Sequence, residues 1–169
     1  MRKTAAAIGF ALLPAFAFAG GEKVSFPTDF DKGVLYTTVD RPDNKQYREL
    51  WGPQAALDAA RADQPLPDGT VLTLVQYRAV LDTDGNPRKD ANGRFVKGDL
   101  IAFTVMEKHA GWGAEYDAAI RNGEWEYQAF TAERKPNEKA NLTSCFQCHK
   151  PLDKADFVFS YEAMKAKGK

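Results

Sequence analysis

The sequence is short of the side chains that most often bind metals or form disulfides. Its 169 residues include only two cysteines and two histidines. It also has no excess of either charge, with 23 basic and 23 acidic residues. Because nucleic-acid-binding proteins usually present a strongly basic face, this balance argues against a nucleic-acid partner. Beyond the N-terminal segment, no run approaches the ~20 apolar residues that a membrane helix needs.

The N-terminal segment has the pattern of an export signal. Two basic residues, Arg2 and Lys3, precede a short apolar run that ends in an A-x-A-like cleavage site at Ala19. We therefore expect residues 1–19 to be a signal peptide and residues 20–169 to form a single domain. Export predicts a location in the periplasm of a Gram-negative bacterium, with no membrane association after cleavage.

Both cysteines lie in one short motif near the C-terminus. The segment Cys145-Phe146-Gln147-Cys148-His149 has the C-x-x-C-H pattern of c-type haem attachment. Thiols at this spacing can each bond to one vinyl-derived carbon of the same porphyrin, and the adjacent histidine can then ligate the iron from one side. We predict one haem c, covalently held through Cys145 and Cys148, with His149 as the metal ligand.

Three other interpretations of the motif are weaker. A thioredoxin-like redox pair sits at the start of a helix in a βαβ unit near the N-terminus, which does not match this position. A zinc site needs four ligands, and outside the motif the chain offers only His109 and carboxylates. A structural disulfide would close a very short loop and would be an ineffective constraint.

Hydrophobic periodicity predicts a mainly β (α+β) fold, an antiparallel sheet with a few short helices. The expected strands are 34–39, 70–81, 99–107, 124–131 and 156–160. The expected helices are 43–51, 53–62, 114–121 and a short one that begins at the haem motif. The turn signal Asn92-Gly93 predicts a long hairpin between the second and third of these strands.

The position of the motif separates this chain from two common classes of c-type cytochrome. Small electron carriers have the motif near the N-terminus and a methionine ligand far downstream, whereas only twenty residues follow His149. The helical cytochromes c-prime do carry a C-terminal motif, but they are four-helix bundles with long amphipathic helices. The strand-like runs in this chain do not fit such a bundle.

With its C-terminal haem motif on a β-rich chain, the sequence resembles the cytochrome P-460 family and its close relative cytochrome c-prime-beta. The segments that carry the resemblance, in order, are Phe26-Pro27, Asp68-Gly69-Thr70-Val71, Gly98-Asp99, Asn122-Gly123-Glu124-Trp125, and Cys145-x-x-Cys148-His149 followed by Asp156-x-Val158-Phe159. The resemblance implies a haem packed on an antiparallel sheet, a proximal ligand at His149, and a homodimer.

Members of the family differ at one residue. The P-460 enzymes oxidise hydroxylamine and have a lysine bonded to the porphyrin, five positions after the glycine of the D-G-T-V segment. The same count from Gly69 leads to Leu74, which has no amine. Relatives that lack the lysine have apolar distal residues and are associated with nitric oxide binding, and this chain resembles them.

Leu74 is accordingly the first candidate for the distal wall, opposite His149. Tyr36 and Phe103, from neighbouring strands, are further candidates, although either can equally belong to the core of the sheet. A haem ligated by His149 alone is five-coordinate, and an apolar wall suits nitric oxide and carbon monoxide, which need few hydrogen-bond donors. A hydroxyl from Tyr36 would change that preference.

Three functions follow, in order of preference. The first is a gas-binding haem protein that binds or detoxifies nitric oxide. The alternative is a P-460-type oxidoreductase acting on hydroxylamine or nitric oxide. The third is an electron-transfer cytochrome with a redox partner protein, in which Met106 or His109 would be the sixth iron ligand. The sequence leaves open whether the protein is an enzyme.

Overall fold

A computed structural model describes residues 21–167 of the protein, so the predicted signal peptide lies outside the described residues. At its centre is one antiparallel sheet of five strands, whose order in the sheet is their order along the chain. The strands β1 to β5 are Val34–Arg41, Gln46–Gly52, Val71–Ala79, Lys97–Lys108 and Trp125–Thr131. The predicted fold, mainly antiparallel β structure with a few short helices, is confirmed.

The α-helices are short. They are α1 (Gln54–Arg61), α2 (Leu142–His149) and α3 (Tyr161–Ala166). Single 3₁₀ turns occur at Gly21–Lys23, Phe30–Lys32 and Trp112–Glu115, and a longer 3₁₀ segment, Lys150–Ala155, follows α2 directly. Within residues 21–167, no helix has the length and apolar character needed to cross a bilayer.

The sheet has two unlike sides, because successive side chains of a strand point to opposite faces. On the side that we call the helix side, Leu72, Met106 and Tyr127 pack with residues of α1, α2 and α3. On the opposite side, which we call the N-terminal side, Val75, Phe103, Val105 and Phe130 pack against Val24, Phe26 and Phe30 of the N-terminal segment. The molecule therefore has two hydrophobic clusters, one on each side of a single sheet.

The helix predicted at 43–51 is wrong. Tyr47, Leu50 and Trp51 have a spacing that suits a helix, but the segment forms strand β2, with Leu50 on the helix side and Trp51 on the N-terminal side. β2 pairs with both β1 and β3, so its backbone groups are satisfied across the sheet. Pairing on both edges outweighs the local helical pattern.

Two other predicted elements also differ from the structure. In the predicted strand 156–160, Asp156 and Phe157 have φ of 48° and 61°, which interrupts any extended conformation. Of the predicted helix 114–121, only the 3₁₀ turn Trp112–Glu115 forms at its start. The predicted helix 53–62 is confirmed by α1, and the predicted helix at the haem motif by α2.

A partly buried ion pair joins the end of β4 to the segment that follows α2. The ammonium of Lys108 donates to Asp156 Oδ2 and to the carbonyl oxygen of Leu66, each at 2.8 Å. The same carboxylate oxygen accepts a hydrogen bond of 2.8 Å from the backbone N–H of Leu66. Asp156 thereby fixes its segment against the sheet and against the loop that precedes β3.

Replacing Lys108 by alanine should lower the free energy of unfolding by about 2–3 kcal/mol, because a half-buried Asp156 carboxylate loses its counter-ion. Lys165 is a suitable control, since it pairs with the exposed Asp63, and Lys165→Ala should lower the free energy of unfolding much less. Urea denaturation of both variants measures the difference. Equal losses would show that the Lys108 pair contributes no more than a surface pair.

Candidate functional site

Helix α2 brings the two thiols and the imidazole of the motif together. Cys145 is half-buried and packs against the helix-side cluster, whereas Cys148 is exposed, and both thiols are free. Residues three apart lie on the same face of a helix, so both thiols are presented on one side of α2. The side chain between them, Phe146, is fully buried and anchors α2 to the sheet.

The imidazole of His149 is held in one defined state. Its Nδ1 lies 2.6 Å from the carbonyl oxygen of Phe157, which can only accept, so Nδ1 carries the proton and donates it. Nε2 then keeps its lone pair, which is the state that a histidine needs to ligate a metal. Burial lowers the pKa of His149, which also favours the neutral ring.

Aromatic rings fix the orientation of His149. The rings of Tyr127 and Phe159 each have their centroid 5.0 Å from the imidazole centroid. Tyr127 is fully buried on β5, while Phe159 is 62% exposed. An exposed phenylalanine beside a candidate iron ligand provides apolar surface that a flat porphyrin could cover.

The turn that supplies the Phe157 carbonyl has a strained backbone. Asp156 and Phe157 are both in the left-handed region, which costs a non-glycine residue about 1–3 kcal/mol. The strain is held by the Asp156 contacts with Lys108 and Leu66 and by a hydrogen bond of 2.8 Å from Phe157 N to Leu152 O. The carbonyl that orients His149 is therefore fixed from three directions.

Next to the motif, the helix side of the sheet is incompletely covered. Paired residues of antiparallel strands share a face, so the register places Leu50, Leu74, Thr104 and Ala129 in one row across four strands. All four are only half-buried, whereas Thr73, Val75, Phe103 and Phe130 on the other side are buried. An apolar, planar group could be accommodated on this half-open row.

Two arginines lie at the edge of this row. Arg41 donates two hydrogen bonds to the carboxylate of Asp43, at 2.9 and 2.7 Å, and lies on the Cys148 side of the site. Arg48, on the same face as Leu74, is half-buried, and burial followed by repulsion from Arg41 lowers its pKa. Its guanidinium donates to Gln46 Oε1, and among the described residues no carboxylate lies within salt-bridge distance of it. A desolvated cation in this position would be stabilised by an anionic ligand.

The structure separates the three predicted distal residues. Leu74 lies on the helix side, on the half-open row. Tyr36 is also on the helix side, but it is buried and its hydroxyl is 2.8 Å from Ser160 Oγ, so the hydroxyl is already engaged. Phe103 is on the N-terminal side, because it pairs with Val75, and the thickness of the sheet separates it from the motif. Phe103 is thus not brought together with Cys145, Cys148 and His149.

Several side chains of the site were not anticipated from the sequence. Gln76 lies one strand pleat beyond Leu74 and donates from Nε2 to Thr104 Oγ1 at 3.0 Å, so the half-open row also carries a polar pair. Buried Asn122 donates to both the Tyr127 hydroxyl and the Phe146 carbonyl, at 3.0 Å each. Its sequence signal, Asn-Gly before a strand, indicated only a turn.

Comparison with known families decides the class of protein. A model of the cytochrome P460 family matches residues 27–160, which include all five strands and the motif. The chain belongs to the cytochrome P460 family. Membership identifies it as a haem cytochrome, and the free thiols, the free Nε2 of His149 and the half-open apolar row fit such a group. No curated protein matches the chain.

Asn122→Ala should lower the free energy of unfolding by about 2–4 kcal/mol, because it leaves a buried hydroxyl and a buried carbonyl without a partner. It should also loosen α2, since it removes the bond to Phe146. The exposed turn residue Asn92 is the control, and Asn92→Ala should have an effect below about 1 kcal/mol. Thermal unfolding of both variants tests this, and equal melting temperatures would contradict the role of Asn122.

Proposed function

We propose that the protein is a periplasmic mono-haem c-type cytochrome that binds nitric oxide at a five-coordinate iron. The haem would be covalently held by Cys145 and Cys148 and ligated by His149 Nε2. The observation that carries the proposal is the hydrogen bond from His149 Nδ1 to Phe157 O, beside two free thiols. A histidine committed in this way on a C-x-x-C-H helix has Nε2 free to ligate a metal.

The surroundings of the other candidate ligands support an open sixth position. His109 has Nε2 2.9 Å from Glu107 Oε1, and its ring packs on Trp112, which contacts the cluster on the N-terminal side. Met106 is buried in the helix-side core between its strand partners, Leu72 and Tyr127. Neither side chain projects from the half-open row on which Leu74 lies.

When bound, the haem supplies an iron with a vacant position for a diatomic ligand. The chain contributes the positioning. The thiols tether the porphyrin edge to α2, and the Phe157 carbonyl fixes the plane of His149. Leu50, Leu74 and Ala129 provide apolar contact and exclude water, while Arg41 and Arg48 can neutralise the propionates. The homodimer that the resemblance implies remains a prediction.

The hydroxylamine-oxidising alternative is less well supported. Strand β3 contains no lysine, and the half-buried Leu74 occupies the position where the sequence count expects one. The polar pair Gln76–Thr104, of which Thr104 lies on the half-open row, could assist a proton transfer or hold a bound polar ligand. Gln76 therefore limits how apolar the proposed pocket is.

The decisive experiment is a set of optical and electron paramagnetic resonance spectra of the purified protein, with the mass of the denatured chain. We expect the chain mass plus one haem, a five-coordinate high-spin iron, and a stable ferrous nitric oxide complex. A six-coordinate low-spin iron at rest would favour electron transfer instead. Turnover of hydroxylamine with a red-shifted ferrous band would favour the P-460-type enzyme.

Leu74→Gln should change the dissociation rate of bound nitric oxide or carbon monoxide by about tenfold, because it places a hydrogen-bond donor beside the ligand. Leu81→Gln is the control, since Leu81 is 45% exposed beyond the end of β3. Stopped-flow ligand replacement measures both variants. Unchanged rates in Leu74→Gln would remove Leu74 from the pocket.

A further inference from the structure

Glu126 is a fully buried carboxylate that the proposed gas-binding site does not use. It lies on β5, with an exposed fraction of 0%, and it points to the N-terminal side. Neither of its oxygens accepts a hydrogen bond of good geometry, and no cation lies within salt-bridge distance of it among residues 21–167. Buried carboxylates are normally paired, so this one calls for an explanation.

The charges that surround Glu126 do not neutralise it. Lys23 attracts it, but the ammonium of Lys23 is already paired with Glu115. Glu22 and Glu115 repel it, and Glu107 is its neighbour on β4. Burial, the largest influence, raises the pKa of Glu126 to about 7, while the nearby Tyr116 hydroxyl opposes the rise.

One side-chain path connects Glu126 with the haem motif. Its chain neighbour Tyr127 contacts His149, but the Tyr127 side chain lies on the helix side of the sheet and that of Glu126 on the N-terminal side. Tyr116, which interacts with the Glu126 carboxylate, has its ring 5.0 Å from that of Phe146, between the two cysteines. The Tyr116 side chain therefore links the carboxylate to Phe146 of the motif.

We propose that Glu126 takes up a proton when the haem iron is reduced and releases it when the iron is oxidised. This inference rests on the haem attachment proposed above. Reduction converts Fe(III) to Fe(II) with an electron from an external donor, here an electrode, and the carboxylate becomes a carboxylic acid with a proton from solvent. The net charge of the site is then unchanged.

Glu126 would take up a proton on reduction because the iron loses one positive charge. Two charges interact more strongly when buried protein, rather than water, lies between them, and the buried ring of Tyr116 lies between Glu126 and Phe146 of the motif. The carboxylate is therefore less stable as an anion beside ferrous than beside ferric haem. Because the coupling is reciprocal, a proton on Glu126 must equally favour the electron on iron.

The test is the midpoint potential of the haem-containing protein, measured between pH 5.5 and pH 9 by mediated electrochemistry. We expect the potential to fall as the pH rises through neutrality, since proton loss from Glu126 disfavours the electron. When one proton is taken up for each electron, the equilibrium constant for reduction changes tenfold per pH unit. The midpoint potential then falls by at most about 59 mV per pH unit. In Glu126→Gln the potential should not change with pH in this window.

The neighbouring Glu124 provides the matched control. It is half-exposed on the same segment, and its contacts with Gly113 N and Arg121 lower its pKa, so it is charged across the window. Glu124→Gln should retain the dependence of the unsubstituted protein. If Glu126→Gln retains that dependence too, another group such as a propionate is responsible and the proposal fails.

A second measurement needs no variant. The redox difference infrared spectrum of the unsubstituted protein at neutral pH should gain a carboxylic acid C=O band on reduction, with an isotope shift in heavy water. Absence of that band would overturn the proposal for Glu126 while leaving haem attachment and gas binding intact. A protein purified without haem would instead overturn the proposed function, and this inference with it.

Discussion

The hydrogen bond from His149 Nδ1 to the carbonyl oxygen of Phe157 is the interaction on which the site depends. It decides which ring nitrogen is available, and it sets the plane of the ring. The acceptor is a backbone atom in a strained turn, so its position depends on the contacts that hold the turn. Those contacts converge on Asp156, which Lys108 and Leu66 bind from the sheet and from the loop before β3. An ion pair at the end of β4 thus controls the geometry of a ligand on α2.

The sheet explains why the site forms on one side only. Phe26 and Phe30 from the N-terminal segment pack edge-to-face on Phe103 and cover it on the N-terminal side. On the helix side, the three short α-helices cover only part of the surface, and Leu74 remains half-buried. A single sheet that buried both faces fully would leave no room for a planar group. The shortness of the helices is therefore a condition for the site.

The sequence predicted the elements that are determined by residues close together along the chain. The C-x-x-C-H motif identified the three residues that α2 brings together. Runs of β-branched and aromatic residues between turn signals, with alternation in 124–131, identified most strands. The helix predicted at 43–51 was wrong because β2 is too short for its periodicity to be distinguished from that of a helix. Phe103 was misplaced for a different reason. Which side of the sheet a residue faces depends on its register with the neighbouring strand, and a shift of one residue reverses it.

Other parts of the site had no sequence signal at all. The partner of His149 is a carbonyl group, which every residue has, and its position follows from the left-handed conformation of Asp156 and Phe157. Asn122 looked like a turn residue, but its amide links β5 to α2. Such contacts arise only after the chain has folded, because they join segments that are distant in sequence.

The distribution of charge around the motif separates its two sides. Arg41 and Arg48 lie toward the exposed cysteine and the half-open row, whereas the buried carboxylate of Glu126 lies on the N-terminal side of the sheet. Two cations at an exposed edge suit the anionic propionates of a haem. A buried acid without a counter-ion lowers stability, and an apolar residue of similar size would pack there at lower cost. Stability therefore does not explain Glu126, and its contact with Tyr116, which packs on Phe146 of the motif, is the structural feature that does.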